Sequence, residues 1–140
     1  MKVAELTGAL LDMWVARAEG IDVRLSNDKT LAIIADGNNG IGYAPSTRWA
    51  EGGPIIEKDQ IFIDPPHDAH YNGGPNHGWR RYDHWSATVS ARTRRLPPKN
   101  DIAKELGLGG VGRGAGETPL IAAMRAKVAS HYGDEVPDAG

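Results

Sequence analysis

The sequence predicts an α+β domain in which a small antiparallel sheet packs against an N-terminal and a C-terminal helix, with long Gly-, Pro- and His-rich loops. Apolar residues recur at helical spacing near both ends of the 140-residue chain, and apolar and polar residues alternate strictly over 85–91. No repeated strand–helix–strand pattern lies between them, which argues against a doubly wound parallel sheet. We expect one domain over 1–136 with loop insertions at about 64–84 and 93–115, and a tail at 137–140.

The composition excludes several classes of protein. The chain has no cysteine, so disulfide frameworks, thiol nucleophiles and cysteine zinc sites are excluded. Its net charge of -2 is atypical of a dedicated nucleic-acid binder. No apolar stretch approaches the roughly 20 residues of a membrane span, and Glu5 and Asp12 interrupt the apolar N-terminus, unlike a secretion signal. We therefore expect a soluble intracellular protein with no membrane partner.

Helix signals mark the two ends of the chain. Thr7 is the predicted N-cap of the first helix, and Gly20 supplies the left-handed residue that ends it. Its apolar stripe consists of Leu11, Trp14, Val15 and Ala18. In the last helix Thr118 is the predicted cap and Pro119 the first helical residue, and Gly133 follows its end. The cations of that helix, placed where they complement the helix dipole, are Arg125, Lys127 and His131.

Between these helices the sequence predicts several short strands. Two of them, 21–25 and 31–35, flank turn residues, and 54–63 offers one or two more. The alternation over 85–91 is typical of a half-buried antiparallel strand. A short helix is expected at 101–106.

Two segments lack any periodicity. Residues 64–78 are predicted to be loop by every local signal. Residues 107–116 contain six glycines and are expected to be mobile. Gly107, Gly109 and Gly112 fit G-x-G-x-x-G, but they follow a short helix instead of a strand, so we interpret the match as accidental.

Three runs of sequence are similar to a known family. They are ELTGALLDMWVARAEG at 5–20, YAPSTRWAEGGPIIEKDQI at 43–61 and GETPLIAAMRAKVASHYGDEV at 116–136. In this order they resemble the NinX-like family of small bacteriophage proteins. The family carries no assigned activity to transfer. The resemblance implies an accessory phage protein that acts in the cytoplasm of the infected bacterium, and 64–84 and 93–115 look enlarged relative to shorter members.

Histidines are concentrated in one window. Four of the five fall there with three aspartates, namely His67, His70, His77 and His84 with Asp64, Asp68 and Asp83. Imidazoles and carboxylates are the ligands that zinc and non-haem iron use. However, the spacing matches no metal signature, and no helical pattern aims His67 and His70 at one point. We favour a solvent-exposed polar loop and keep a zinc or iron site as the alternative.

The same window combines aromatic rings with arginines. The candidate ligand-binding residues are Tyr71, Trp79, Arg80, Arg81, Tyr82 and Arg92. Residues 80–99 hold six basic residues against one acid, so charge is segregated along the chain. Guanidinium groups bind phosphates bidentately and aromatic faces stack on bases. Surface ion pairs worth ~0–1 kcal/mol would not explain this clustering, so the window predicts a site for an anionic small molecule or nucleotide.

The W-A-E-G-G-P run at 49–54 predicts a turn. Gly52 and Gly53 permit positive φ and Pro54 fixes the exit, so backbone N–H groups could form an anion nest. We favour the simpler alternative, a turn that lets Trp49 enter the core. The candidate ligand-binding residues of this segment are Ser46, Thr47, Arg48 and Trp49.

These patterns favour a binding protein over an enzyme. No serine lies in G-x-S-x-G. We expect a non-catalytic homo-oligomeric module that holds an anionic small molecule or nucleotide and, in a phage, sequesters a host defence signal. The alternative is an interaction factor that targets a host protein, because Trp, Tyr and Arg dominate interface hot spots. A weaker alternative is a histidine-dependent metalloenzyme, and otherwise no cofactor is expected.

Overall fold

The computed structural model of the chain describes residues 1–36, 39–71, 78–89, 101–105 and 111–138. A short 3-10 turn at Val3–Glu5 precedes the first helix. The helices are α1 (Gly8–Glu19), α2 (Trp49–Asp59), α3 (Asp101–Glu105) and α4 (Pro119–Tyr132). The strands are β1 (Val23–Leu25), β2 (Ala32–Asp36), β3 (Asn39–Tyr43), β4 (Ile61–Asp64), β5 (His67–Tyr71), β6 (Gly78–Tyr82), β7 (Trp85–Val89) and β8 (Arg113–Gly116).

The strands form small antiparallel sheets. One sheet has the order β1–β2–β3, a second has the order β4–β7–β8, and β5 pairs with β6 as a separate hairpin. α1 and α4 pack together, and α4 covers the β4–β7–β8 sheet. The predicted α+β class with a helix near each end is confirmed. None of the helices in the described part of the chain is long and apolar enough to cross a membrane.

The predicted helix ends are those of the structure. Thr7 is the N-cap of α1, and Gly20 ends that helix with φ 75° in the left-handed region. At α4 the Thr118 side chain accepts a hydrogen bond from the Ile121 N–H at 3.1 Å. Pro119 follows as the first helical residue and Gly133 ends the helix. The Thr118 side chain therefore caps α4, whereas Thr7 occupies the N-cap position of α1 without a side-chain hydrogen bond to that helix.

The prediction of strands over 54–63 is largely wrong. Residues 54–59 belong to α2, and only the segment from Ile61 onward is a strand. The buried face of α2 consists of Gly52, Ile55 and Asp59, which have helical spacing but include only one large apolar side chain. Gly52 and Gly53 lie inside this helix without positive φ, so the predicted glycine turn is absent from these residues.

Two segments predicted to lack regular structure contain strands. Residues 67–71 and 78–82 pair as β5 and β6, although neither strand alternates apolar and polar residues. Residues 113–116 of the glycine-rich run form β8, which pairs with β7. Residues 107–110 of that run lie outside the described residues, and 111–112 precede β8 without regular structure. Apolar and polar residues alternate along a strand when one of its faces is buried. A strand with two exposed faces, or one made largely of glycine, does not show this alternation, so the sequence does not predict it.

The hydrophobic core lies between α1, α4 and the β4–β7–β8 sheet. Its fully buried side chains include Leu11, Val15, Val89, Met124 and Val128. β8 lies directly against α4, because a Cβ at Gly114 would collide with backbone atoms of Ala122 and Ala126. Glycine is therefore required here by close approach of a strand to a helix.

A charged group is buried beside this core. Lys127 of α4 is 1% exposed and donates to Asp59 Oδ2 of α2. Its Nζ also lies 2.8 Å from Glu19 Oε1 of α1, and Lys58 donates to the same carboxylate. Burial alone raises the pKa of Glu19, but hydrogen bonds from the two lysines outweigh it and hold the pKa below its ordinary value. The network joins three helices through their charges.

Candidate functional site

The aromatic and arginine candidates lie on the β5–β6 hairpin, with Tyr71 at the end of β5 and Trp79, Arg80, Arg81 and Tyr82 on β6. Successive strand residues face opposite sides, so Arg80 and Arg81 point to different faces of the hairpin. Arg81 lies 3.6 Å from Asp68 Oδ1 and 3.4 Å from Asp83 Oδ1. The β6 side chains line none of the three cavities described below. Arg92 lies outside the described residues.

The hairpin separates the histidine candidates. The His67 ring stacks on Tyr82 at 5.3 Å between centroids. The His70 ring meets Trp79 edge-on at 5.1 Å, on the opposite face. His84 follows the hairpin and His77 lies outside the described residues. Over the described ranges no three His, Asp or Glu side chains converge as a metal site would require.

The candidates before α2 form a tight turn whose amides are already bonded. The Ser46 N–H donates to Asp12 Oδ1 at 2.9 Å, and the Ala44 N–H donates to Glu51 Oε2. Carboxylates of the chain itself therefore occupy positions that an anion nest would offer to a ligand. Ser46 is buried. Trp49 is 57% exposed, so the expectation that it enters the core is wrong.

Thr47 and Arg48 line a small cavity of about 160 Å³. Its wall includes Asp12, whose side chain is only 4% exposed. Burial raises the pKa of Asp12 above its ordinary value, and the hydrogen bonds from Ser46 act in the opposite direction. Arg48 Nη1 is 3.2 Å from Glu51 Oε1, so the cation that the described residues place on this rim is paired with a second acid. The electrostatics of this cavity do not favour an anion.

A larger cavity lies beside β8, and we call it the large cleft. Its volume is about 740 Å³, within the roughly 300–1,000 Å³ typical of small-molecule sites. The N-terminal segment, β7, β8, α4 and the chain after α4 each contribute to its wall. Its charged and hydroxyl-bearing residues are Lys2, Ser86, Thr88, Arg113, Arg125, Asp134 and Glu135.

A second cavity of about 380 Å³, the small cleft, adjoins the large one. Both clefts are lined by Ala4, Ala115 and Arg125. The residues that line only the small cleft are Thr7, His84, Gly116, Glu117 and Ile121. His84 is thus the one histidine candidate that the structure brings to a cavity wall among the described residues.

Arg125 stands where the two clefts meet, and neutral groups hold it in place. Its Nε donates to Leu6 O at 3.0 Å and its Nη1 donates to Ala115 O at 2.7 Å. Burial lowers the pKa of Arg125, and the nearby charge of Glu117 acts in the opposite direction. Within the described residues no carboxylate lies within ion-pair distance of this guanidinium.

Sequence patterns missed the cleft because its wall comes from distant parts of the chain. Val3 N–H donates to Asp134 O at 2.9 Å, which brings the two ends of the chain together at the cleft. From the sequence, Arg125 is expected only to complement the dipole of α4. The local signal for its place in the cleft is an arginine beside three alanines, nearly two turns after the start of a helix.

Comparison with known proteins supports the resemblance of the sequence. The family model described as Bacteriophage P22, NinX matches residues 2–96, which include α1, α2 and the strands from β1 to β7. No curated protein matches the chain. Because the matched segment covers more than half of the sequence, the chain belongs to the NinX family of bacteriophage proteins.

Proposed function

We propose that this phage accessory protein binds a small anionic molecule of the nucleotide class in the large cleft, without chemical turnover. The observation that carries the proposal is Arg125, a partly buried guanidinium whose hydrogen-bond partners among the described residues are the carbonyl oxygens of Leu6 and Ala115. Taking a charge out of water is unfavourable unless an opposite charge compensates it. An anion in the cleft would supply that charge.

Further polar groups in the large cleft fit an anionic ligand. Arg113 and Lys2 add two cations to its wall. Arg113 is exposed and forms no ion pair with the described residues, so its guanidinium fork is available for bidentate contact with a phosphate. Ser86 and Thr88 supply hydroxyl groups from β7, which can donate to phosphate or accept from a sugar.

Binding alone gives such a protein a biological role. In an infected bacterium, a phage protein that holds a signalling nucleotide lowers its free concentration by mass action. We therefore propose sequestration of a host defence signal as the consequence of binding. The volume of the large cleft and its cations are the features that support this role.

Native mass spectrometry of the protein purified from infected cells tests the proposal. We expect the wild type to carry additional mass from a retained anionic molecule. Arg113→Ala should lose that mass, whereas Arg24→Ala, which removes an exposed arginine from β1, should keep it. A wild-type mass equal to that of the bare chain, or retention unchanged in Arg113→Ala, would contradict the proposal.

A second candidate function rests on the hairpin. Trp79 is 74% exposed, and the hairpin packs closely against no other helix or strand of the described chain. Exposed tryptophan beside arginine is typical of interface hot spots, so this surface fits a host protein partner. In the same native mass spectra, a host protein that accompanies the wild type but not Trp79→Ala would support this function.

A further inference from the structure

The large and small clefts meet at Arg125, and we treat them as two parts of one site. They share Ala4, Ala115 and Arg125, and each has its own lining on either side of them. Arg125 Nη1 and Nε are fixed by carbonyl oxygens, which orients the guanidinium at the junction. Arg125 is less exposed than Lys2 and Arg113, the other two cations that the described residues place in the clefts. The least exposed of these cations therefore lies where the two clefts meet.

The three acids of the two clefts each line only one of them. Glu117 nevertheless lies near enough to Arg125 for its charge to act on the guanidinium. Glu117 lines only the small cleft, and Asp134 and Glu135 line only the large one. A ligand with a terminal phosphate in the small cleft would place it beside Glu117, where like charges repel. A ligand whose negative charge is central and whose two ends are neutral avoids this repulsion. Carboxylates at the ends can instead accept hydrogen bonds from sugar hydroxyls.

The small cleft also has the chemistry of a base-binding pocket. Ile121 supplies an apolar surface and His84 an aromatic ring on which a planar base can stack. Its volume of about 380 Å³ is within the range of small-molecule sites. The large cleft, at about 740 Å³, has room for the second half of such a ligand.

We infer that the ligand is a two-lobed diphosphate of the dinucleotide class, with its phosphates on Arg125 and one nucleoside-like lobe in each cleft. This inference rests on the proposed function, since it names the ligand class of the same site. It requires that the second nucleoside-like lobe increases the affinity of the ligand. A side chain that fills the small cleft should then remove this increase and leave the binding of the phosphates intact.

Isothermal titration with three probes tests the inference. The probes are pyrophosphate, AMP and diadenosine diphosphate, each titrated into the wild type, Glu117→Trp and Glu5→Trp. Glu117→Trp places an indole in the small cleft. Glu5→Trp makes the same chemical change at an exposed residue that lines neither cleft, which controls for the lost charge and the added ring.

We expect diadenosine diphosphate to bind the wild type and Glu5→Trp at least about tenfold more tightly than AMP, a difference of about 1.4 kcal/mol. In Glu117→Trp the advantage should disappear, while pyrophosphate binds at least as tightly as before because a negative charge near Arg125 has been removed. If pyrophosphate binds but the dinucleotide binds no more tightly than AMP, or keeps its advantage in Glu117→Trp, the two-lobed ligand is wrong and the anion site stands. If none of the three probes binds the wild type, the proposed function itself fails.

Discussion

Lys127 and Asp59 form an ion pair in the interior, where α4 meets α2 and the lysine is 1% exposed. The carboxylate of Glu19, on α1, is the second partner of the same ammonium group. Three helices that are distant in sequence are therefore joined by one buried cation. Such a network specifies which surfaces of the helices meet, because any other arrangement leaves a buried charge unpaired.

Asp59→Ala should destabilise the protein strongly. The substitution removes one of the two carboxylates that hold Lys127, and Glu19 remains as the other. We expect a loss of about 1.5–3 kcal/mol, the contribution of a hydrogen bond to a charged group. Lys58→Ala is the matched control, because its side chain is largely exposed and its pair with Glu19 should contribute no more than ~1 kcal/mol. Urea unfolding of both variants measures the difference. Equal losses in the two variants would show that the buried pair contributes no more than a surface pair.

Asp12→Asn should gain stability relative to the wild type as the pH rises. The folded protein raises the pKa of Asp12 above its ordinary value of 3.8, so the unfolded chain ionises at a lower pH than the folded one. The wild type therefore loses stability as pH rises from about 4 through the folded-state pKa, whereas the amide does not titrate. Free energies of unfolding at about pH 4 and at pH 7 measure this difference. If the free energy of unfolding of Asp12→Asn falls relative to that of the wild type between these two pH values, the effect of burial on Asp12 is refuted.

Two glycine substitutions should have opposite effects. Gly114→Ala should cost about 1–3 kcal/mol, because the added methyl group collides with the backbone of α4. Gly53→Ala lies within α2, where a Cβ meets no atom within 4 Å, and should stabilise the helix by roughly 0.5–1 kcal/mol. Thermal unfolding of the two variants compares them directly. A neutral Gly114→Ala would mean that β8 is not held against α4 as described.

The hairpin arginines should matter little for stability. Both Arg80 and Arg81 are exposed, so the double change Arg80→Ala with Arg81→Ala should alter the unfolding free energy by no more than about 0.5 kcal/mol per site. If the anion binds in the large cleft, pyrophosphate affinity should also be unchanged in this variant. Loss of binding in the folded double variant would instead place the site on the hairpin, where the sequence alone predicts it.

The parts of the fold that the sequence predicts are those with strong local chemistry. Thr118 with Pro119 and Gly20 mark helix ends through groups adjacent in the chain. α2 escapes prediction because its buried face includes Asp59, whose partner Lys127 is remote in sequence. β8 is not predicted because its glycines are required by close contact with α4. Its sequence therefore shows no alternation of apolar and polar residues.

The candidate site is predicted less well than the fold, for a physical reason. Arg80 and Arg81 are adjacent in the sequence, but their side chains point to opposite faces of the hairpin because neighbouring residues on a strand alternate in direction. The cleft, in contrast, joins Lys2 near one end of the chain to Glu135 near the other. No local pattern reports that Arg125 is held by the carbonyl oxygens of Leu6 and Ala115 and has no carboxylate partner in the described part of the chain.

Isothermal titration with pyrophosphate tests the central claim most directly, that the large cleft beside Arg125 binds an anion. We predict saturable binding to the wild type, equal affinity for Arg24→Ala, and at least about tenfold weaker binding to Arg113→Ala, equivalent to about 1.4 kcal/mol. The absence of binding to the wild type, or equal affinity of all three proteins, would contradict the account.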